Sequence, residues 1–286
     1  MTKLFSIIIY SLLSVCSKFI FLISRRNILL YVYELLRQNA YRNIEINERS
    51  IKFFNPNSII NWRLNTFFIK EPETLAWIDN FDSDEEIIFW DIGANIGLYS
   101  IYSAVKHKNI KVIAFEPSTL NLNTLSKNIS INKLDEIITI AQIALTESDN
   151  QFQSINETSA LEGGALSSYG VDFDGDGKKI IPSISYKIYG TSIDYLISQH
   201  ILKIPNYIKL DVDGIEHLII NGGLRTLLSE EVKSILVELN EGFIEQSDQV
   251  KKALIDNGFK LKIKTRSEMV EKDHKESQVY NFIFTR

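Results

Sequence analysis

The chain has 286 residues, 45% of them hydrophobic and 23% charged, with a formal net charge of −5. That length fits one domain with an appendage or two small ones, and the composition suits a globular protein with a full core. The acidic balance argues against a general nucleic-acid binder, and the single cysteine, Cys16, excludes an internal disulfide and any cysteine-built metal site.

The N-terminal stretch 4–23, LFSIIIYSLLSVCSKFIFLI, has fifteen apolar residues of twenty, broken by four serines and Lys18. Its length suits a membrane span of about 20 residues. Lys18 is costly at a bilayer centre, and Ser11, Ser14 and Lys18 share one helical face, which suits a helix lying in the interface instead. A packed soluble helix is the third reading, and on it Cys16 is inert packing. No small-residue cleavage site follows, which speaks against a removed signal peptide. Arg25, Arg26, Arg37 and Arg42 follow the stretch and only Lys3 precedes it. If it spans, the positive-inside rule leaves the rest of the chain in the cytosol, so the expected location is cytoplasmic, anchored to the cytoplasmic membrane face.

A second helix is expected over 28–42, completing a helical extension over 1–43. Weakly alternating residues 44–54 suggest a strand or two within a lead-in segment, 44–84. Pro72 followed by Glu73 suits a helix start. Arg63, Lys70 and Glu71 read as surface charges, with a wall of the active site as the alternative.

From 85 onward strands alternate with helices, and residues 87–117 organise the rest. An apolar run at 87–90 ends in Asp91 and is followed by Gly93, Asn95 and Gly97. Leu98, Ile101, Tyr102 and Val105 then recur at helical spacing. A second apolar run, 112–115, ends in Glu116. This is strand, glycine turn, helix, strand, with an acid at each strand tip. In a parallel sheet both tips lie on the edge where open α/β folds bind ligands. Glu116 comes 19 residues after Gly97, the distance suited to a carboxylate that takes two ribose hydroxyls.

The glycine spacing selects the nucleoside. A dinucleotide site needs G-x-G-x-x-G to seat a pyrophosphate. Here the pattern is Asp91-x-Gly93-x-x-x-Gly97, whose acid would repel a pyrophosphate but suits an ammonium. That disfavours a nicotinamide oxidoreductase and points to S-adenosylmethionine, an adenosine carrying an amino acid. Asp91, Gly93, Asn95, Gly97 and Glu116 are the candidate donor-binding residues.

Downstream, a helix is expected at 118–131 and a strand at 136–145. A Ser-, Gly- and Asp-rich insertion, 146–190, ends in an alternating stretch at 181–189 that suggests a hairpin on the ligand edge. Within it, Asp172, Asp174, Asp176 and Gly177 match the first half of a calcium loop. Ser183 stands where that loop needs Glu, so a polar turn is the expected structure. After a helix at 191–201 come a strand ending at Asp211, a turn at Asp213-Gly214, a helix, and a strand ending near Glu238. Helix 243–257 and closing strands 259–264 and 279–284 complete a mixed sheet of about seven strands.

Asp91, Glu116, Asp211 and Glu238 thus stand at four strand ends facing one edge. Unpaired buried carboxylates are expensive, so some must hold ligand groups. Methyl transfer to a hydroxyl also needs a proton acceptor, and the candidates are Asp211, Asp213 and His217. His107, His200 and His274 read as surface residues. Asp211-Val212-Asp213 also invites a metal reading like the D-x-D of nucleotide-sugar glycosyltransferases, the main alternative. No third ligand is readable beside it, and no metal is assigned. A non-catalytic binding protein of the same fold is the other alternative.

The blocks FWDIGANIGLYS (89–100), FEP (115–117), YIKLDVDGIEHLI (207–219) and ILVELN (235–240) resemble the FkbM family of S-adenosylmethionine-dependent methyltransferases. The resemblance spans about 62–284. It implies a class I, Rossmann-like methyltransferase fold with helices on both sheet faces, and O-methylation of a saccharide or other hydroxylated metabolite. It places Asp91, Gly93, Asn95, Gly97 and Glu116 at the donor and Asp211, Asp213, Glu216 and His217 nearest the acceptor. With the apolar N-terminus, the expected acceptor is a small molecule or glycan, a glycolipid included, and not nucleic acid.

Overall fold

The computed structural model describes residues 2–82, 84–266 and 278–286. Helices α1 (Thr2–Ser24) and α2 (Ile28–Gln38) lead into a hairpin of β1 (Tyr41–Ile46) and β2 (Arg49–Phe54). The second helix is shorter than its apolar pattern suggests, because Tyr41 and Arg42 pair with Phe54 and Phe53 across the hairpin. Next come α3 (Ser58–Lys70) and α4 (Pro72–Asp79). The Asn57 side chain caps α3 by accepting the N–H of Ile60 at 3.0 Å. Pro72 opens α4, where its missing N–H costs nothing.

The core then alternates β3 (Ile87–Ile92), α5 (Leu98–Lys106), β4 (Ile110–Phe115), α6 (Thr119–Ile131) and β5 (Ile138–Ala141). After the short β6 (Ala144–Leu145), the insertion folds as β7 (Gln151–Glu157), β8 (Ser167–Tyr169) and β9 (Ile184–Thr191). The chain returns through α7 (Ile193–Ser198), β10 (Tyr207–Leu210), α8 (Glu216–Asn221), α9 (Leu224–Leu227) and β11 (Ser234–Asn240). It ends with α10 (Ile244–Asp256), β12 (Lys260–Thr265) and β13 (Val279–Thr285).

The described residues form a seven-stranded sheet in the order β12-β13-β11-β10-β3-β4-β5. Strands β11, β10, β3, β4 and β5 are parallel, and β13 runs antiparallel to both its neighbours. Alternate side chains enter opposite layers. Phe89 packs with Ile60, Phe67, Trp77 and Ile101 on one face. Trp90 packs with Phe115, Leu210, Ile219 and Leu254 on the other. This is the mixed, helix-covered architecture of class I methyltransferases.

The expected strand at 136–145 is two strands in different sheets. β5 joins the main sheet, and β6 pairs with β9 in a separate sheet of order β6-β9-β7-β8. Two other expectations are corrected. Cys16 is exposed on α1 rather than packed. His107 is buried rather than at the surface: its Nε2 lies 2.8 Å from the Ile78 carbonyl and its ring stacks on Phe81. His200 is exposed, and His274 lies outside the described residues.

Candidate active site

The turn between β3 and α5 is fixed by backbone conformation. Gly93 and Gly97 have φ of +85° and +86°, which side chains rarely tolerate. A Cβ on Gly93 would stand 1.9 Å from the Asp211 carbonyl oxygen, so the turn lies directly against the end of β10. Register does the rest, since Lys209 pairs with Asp91 and Ile92 with Phe115. The strand tips therefore share one edge.

Just past β4, Glu116 is buried and accepts the N–H groups of Asn95 at 2.7 Å and Ser118 at 2.8 Å. Burial pushes its carboxyl up to about 7, against the pull of these two donors. Asp91 is fully buried; its Oδ2 accepts the Ser100 hydroxyl at 2.5 Å while Oδ1 has no partner. Burial raises this carboxyl too. Asn95 Oδ1 is a second buried oxygen without a partner.

Beside the turn lies a cavity of about 110 Å³ whose walls include Gly93, Asn95, Asp211, Asp213, Glu238 and Glu71. Its charge balance is set from beneath by Lys209, which is 1% exposed on a strand buried on both faces. Lys209 Nζ donates to Asp211 at 2.8 Å and lies 4.9 Å from the centre of the Tyr99 ring. Burial alone would depress this ammonium, but Asp211, Asp91 and Glu71 outweigh it and lift it to about 12. In return, Lys209 and Lys70 overcome the burial of Asp211 and hold it at about 2. Burial and the nearby Asp211 charge raise Asp213 to about 6. Burial, again reinforced by Asp211, raises Glu238 well above the usual carboxylate range.

Glu71, Lys70 and Arg63 are wall residues, not surface charges. Glu71 is buried, accepts the Tyr99 hydroxyl at 2.8 Å and pairs with Lys70. Arg63 lines the cavity and donates through Nε to the Gly163 carbonyl at 2.7 Å. Oxygens of Glu71, Asp211 and Glu238 lie within 4.8 Å of one another, a group of a size that could hold a cation. Lys70 and Lys209 already pair with two of the three.

Over the turn lies segment 161–166 of the insertion. The Gly164 carbonyl accepts from the Asn95 amide at 2.7 Å and the Asn121 amide at 3.4 Å. Gly163 N–H donates to Asn121 Oδ1 at 2.8 Å. Glu162 pairs with Arg37 of α2. This segment connects the N-terminal helices to the turn.

The structure thus brings Asp91, Gly93, Asn95, Gly97 and Glu116 together around one turn, with Asp211 and Asp213 across the cavity. His217 is not among them. It is half-buried, lines no part of this cavity, and has Glu147 and Glu245 for charged neighbours; burial lowers its pKa. Asp213 and His217 do not share a helical face, because Asp213 has φ +60° and α8 begins only at Glu216. Glu216 instead turns inward and accepts the N–H groups of Val212 and Gly214, both at 3.2 Å. The calcium-like segment is a polar turn in which Asp174 accepts the N–H groups of Asp176 and Lys178.

The residues fit a nucleoside that carries an amino acid. Glu116 can take a ribose hydroxyl pair, the glycine turn lies at the cavity wall, and Asp91 and Asn95 each leave a buried oxygen unspent. Comparison with known proteins agrees. The family described as "Methyltransferase FkbM domain" matches residues 91–261. Methyltransferase sdnD from Sordaria araneosa is 37% identical over 71 residues, covering 25% of this chain and 27% of that protein. The chain thus matches about a quarter of that relative's length.

Among solved structures, a putative SAM-dependent methyltransferase from Streptococcus mutans shares the fold, with a TM-score of 0.51 at 12% identity. The match covers 87% of this chain and 56% of that one. A precorrin-6y C5,15-methyltransferase from Geobacter metallireducens GS-15 aligns with a TM-score of 0.43 at 14% identity, over 76% of this chain and 87% of that one. The chain belongs to the FkbM methyltransferase family, and S-adenosylmethionine is its cofactor.

Proposed function

We propose that the protein methylates a hydroxyl of a small saccharide or glycolipid, with Asp213 as the base. The observation that carries this reading is the position of Asp213 in the same cavity wall as Gly93, Asn95 and Asp211. When bound, S-adenosylmethionine supplies an electrophilic methyl group, so the chain's work is alignment and proton removal. Asp91, Asn95 and Glu116 would hold the donor. Asp211, kept ionised by Lys209, is too weak a base to take a hydroxyl proton and suits charge balance beside a sulfonium. Asp213, titrating near 6, is ionised at neutral pH yet basic enough to accept the proton. The glycosyltransferase alternative loses its support, because Asp211 is engaged by Lys209 and the family is one of methyltransferases.

The test is transfer of labelled methyl groups into hydroxylated acceptors by the wild type and Asp213→Asn. A fall in kcat of about 10²–10⁴-fold with unchanged S-adenosylhomocysteine affinity is the expected result. An N-methyl product, or an unchanged kcat, would sink the proposal.

A second reading concerns location. α1 is long and apolar enough to cross a membrane. Its residues Leu4, Ile8, Leu12, Val15, Phe19 and Leu22 are all exposed, and α2 adds Leu30, Tyr31 and Leu36. We propose that this extension attaches the protein to the cytoplasmic face of a membrane, with Arg25 and Arg26 at the boundary.

A further inference from the structure

A second cavity, of about 150 Å³, adjoins the first through Asp213 and Glu238 and has the polar turn at 172–179 as a wall. That turn is built into the site. Asn240 Nδ2 donates to the Gly175 carbonyl at 3.0 Å and to Asp176 at 2.8 Å. Phe173 meets Phe243 edge-to-face at 5.7 Å. A Cβ on Gly214 would stand 2.8 Å from Gly175 Cα, so the turn lies directly against the β10–α8 connection.

A census of polar groups in this cavity is one-sided. Three donors that line it are spent: Asn240 on the turn, Gly214 N–H on Glu216, and Leu166 N–H on Asp213 at 2.7 Å. Gln246, 2% exposed, donates to Glu216 and leaves its Oε1 with no partner. What remains unspent is acceptor oxygen, from Asp174, Asp213 and Gln246. Among the described residues no lysine or arginine lines the cavity; Lys178 pairs with Asp176 at the exposed rim. A ligand that donates hydrogen bonds suits these oxygens, and an ammonium offers three donors with a charge opposite to Asp174 and Asp213. An anionic group would be repelled, and a hydroxyl brings one donor and no charge.

We infer that this cavity seats an ammonium group of the acceptor, so that the reacting hydroxyl belongs to an amino-bearing polyol. The inference deepens the proposed function and rests on Asp213 facing the acceptor.

The experiment uses the full chain saturated with S-adenosylhomocysteine, loading being verified by calorimetry. Saturation-transfer NMR is recorded with glucosamine, glucose and N-acetylglucosamine at equal concentration. The expected signal for glucosamine exceeds the other two by about fivefold or more, as charge-assisted hydrogen bonds require. Asp174→Asn should remove the preference, and because the amide oxygen can still accept the Asp176 and Lys178 N–H groups, the turn survives. Asp176→Asn serves as a second variant. Equal signals for the three sugars, or none for glucosamine, overturn the inference. The kinetics of Asp213→Asn read the base separately. An unchanged kcat beside a persisting glucosamine preference removes the base and keeps the cavity's ligand, whereas a lost kcat beside equal signals does the reverse.

Discussion

Glu116 is buried and Asp213 half-buried, and both carboxyls are raised. As the proposed base, Asp213, near 6, must be ionised to take a proton, so kcat should fall as pH drops through about 6. Asp211, near 2, contributes nothing in that range. A profile flat between pH 5 and 7.5 would remove Asp213 as base. Glu116 is raised from 4.5 to about 7, so in the ligand-free protein it opposes folding at neutral pH. Below pH 4.5 the carboxyl is neutral in both states and costs nothing. As pH rises toward 7 the unfolded chain ionises first, and the penalty grows to an upper bound of about 3 kcal/mol. Glu116→Gln should therefore raise the Tm of the ligand-free protein at pH 8, leave it unchanged at pH 4, and abolish S-adenosylhomocysteine binding. The strand-tip acids were legible in the sequence because a carboxylate after a buried apolar run has few other reasons to be there. Lys209 was not, since one lysine inside a four-residue strand gives no sign of which acids surround it. Glu71 and Lys70 were misread because adjacent charges beside a proline look like a loop.

At the scale of elements, the hidden part was α3. Its inner face carries Ile60, Leu64 and Phe67, and its outer face exposes Trp62, Phe68 and Ile69. Apolar residues all round erase the 3.6-residue signal. The same helix turns Arg63 and Lys70 into the cavity, which is why the wall stood only as the alternative reading of these charges. β7 was equally opaque, for its sequence QFQSINE is mostly polar and Ile155 is its one buried hydrophobic residue. α3 supports segment 161–166 through Arg63, and Arg37 of α2 ties it down through Glu162. Arg37→Ala should speed amide hydrogen exchange at Gly163 and leave exchange in β3 and β10 unchanged. Equal protection at Gly163 in the two proteins would show that the ion pair does not restrain the segment.

For the molecule as a whole, a mixed sheet of about seven strands followed from the alternation of strand and helix signals, while the strand order is seen only in the structure. The N-terminal extension could not be placed that way: an apolar helix reads alike in a membrane, at an interface or in a core. The structure removes the core reading, since α1 exposes its apolar side chains and buries almost none of them. At about 1.5 Å per residue its 23 residues span roughly 34 Å, enough for a hydrocarbon core of about 30 Å. Deleting residues 1–26 should abolish flotation with anionic liposomes while S-adenosylhomocysteine affinity stays within about twofold, as for additive distant sites. Flotation that survives the deletion would move membrane attachment elsewhere or dismiss it.

The Gly164 carbonyl accepts from Asn95 and Asn121, so on the proposal that Asn95 holds the methyl donor it would be an intramolecular competitor for the turn. Binding of the methyl donor would then be a two-step process, with opening of the segment ahead of capture. The observed affinity is weaker than the intrinsic one by the fraction of molecules standing open. In stopped-flow mixing, the observed rate should climb with S-adenosylhomocysteine concentration and then level off at the opening rate. A strictly linear dependence would show that the ligand reaches Asn95 with the segment in place.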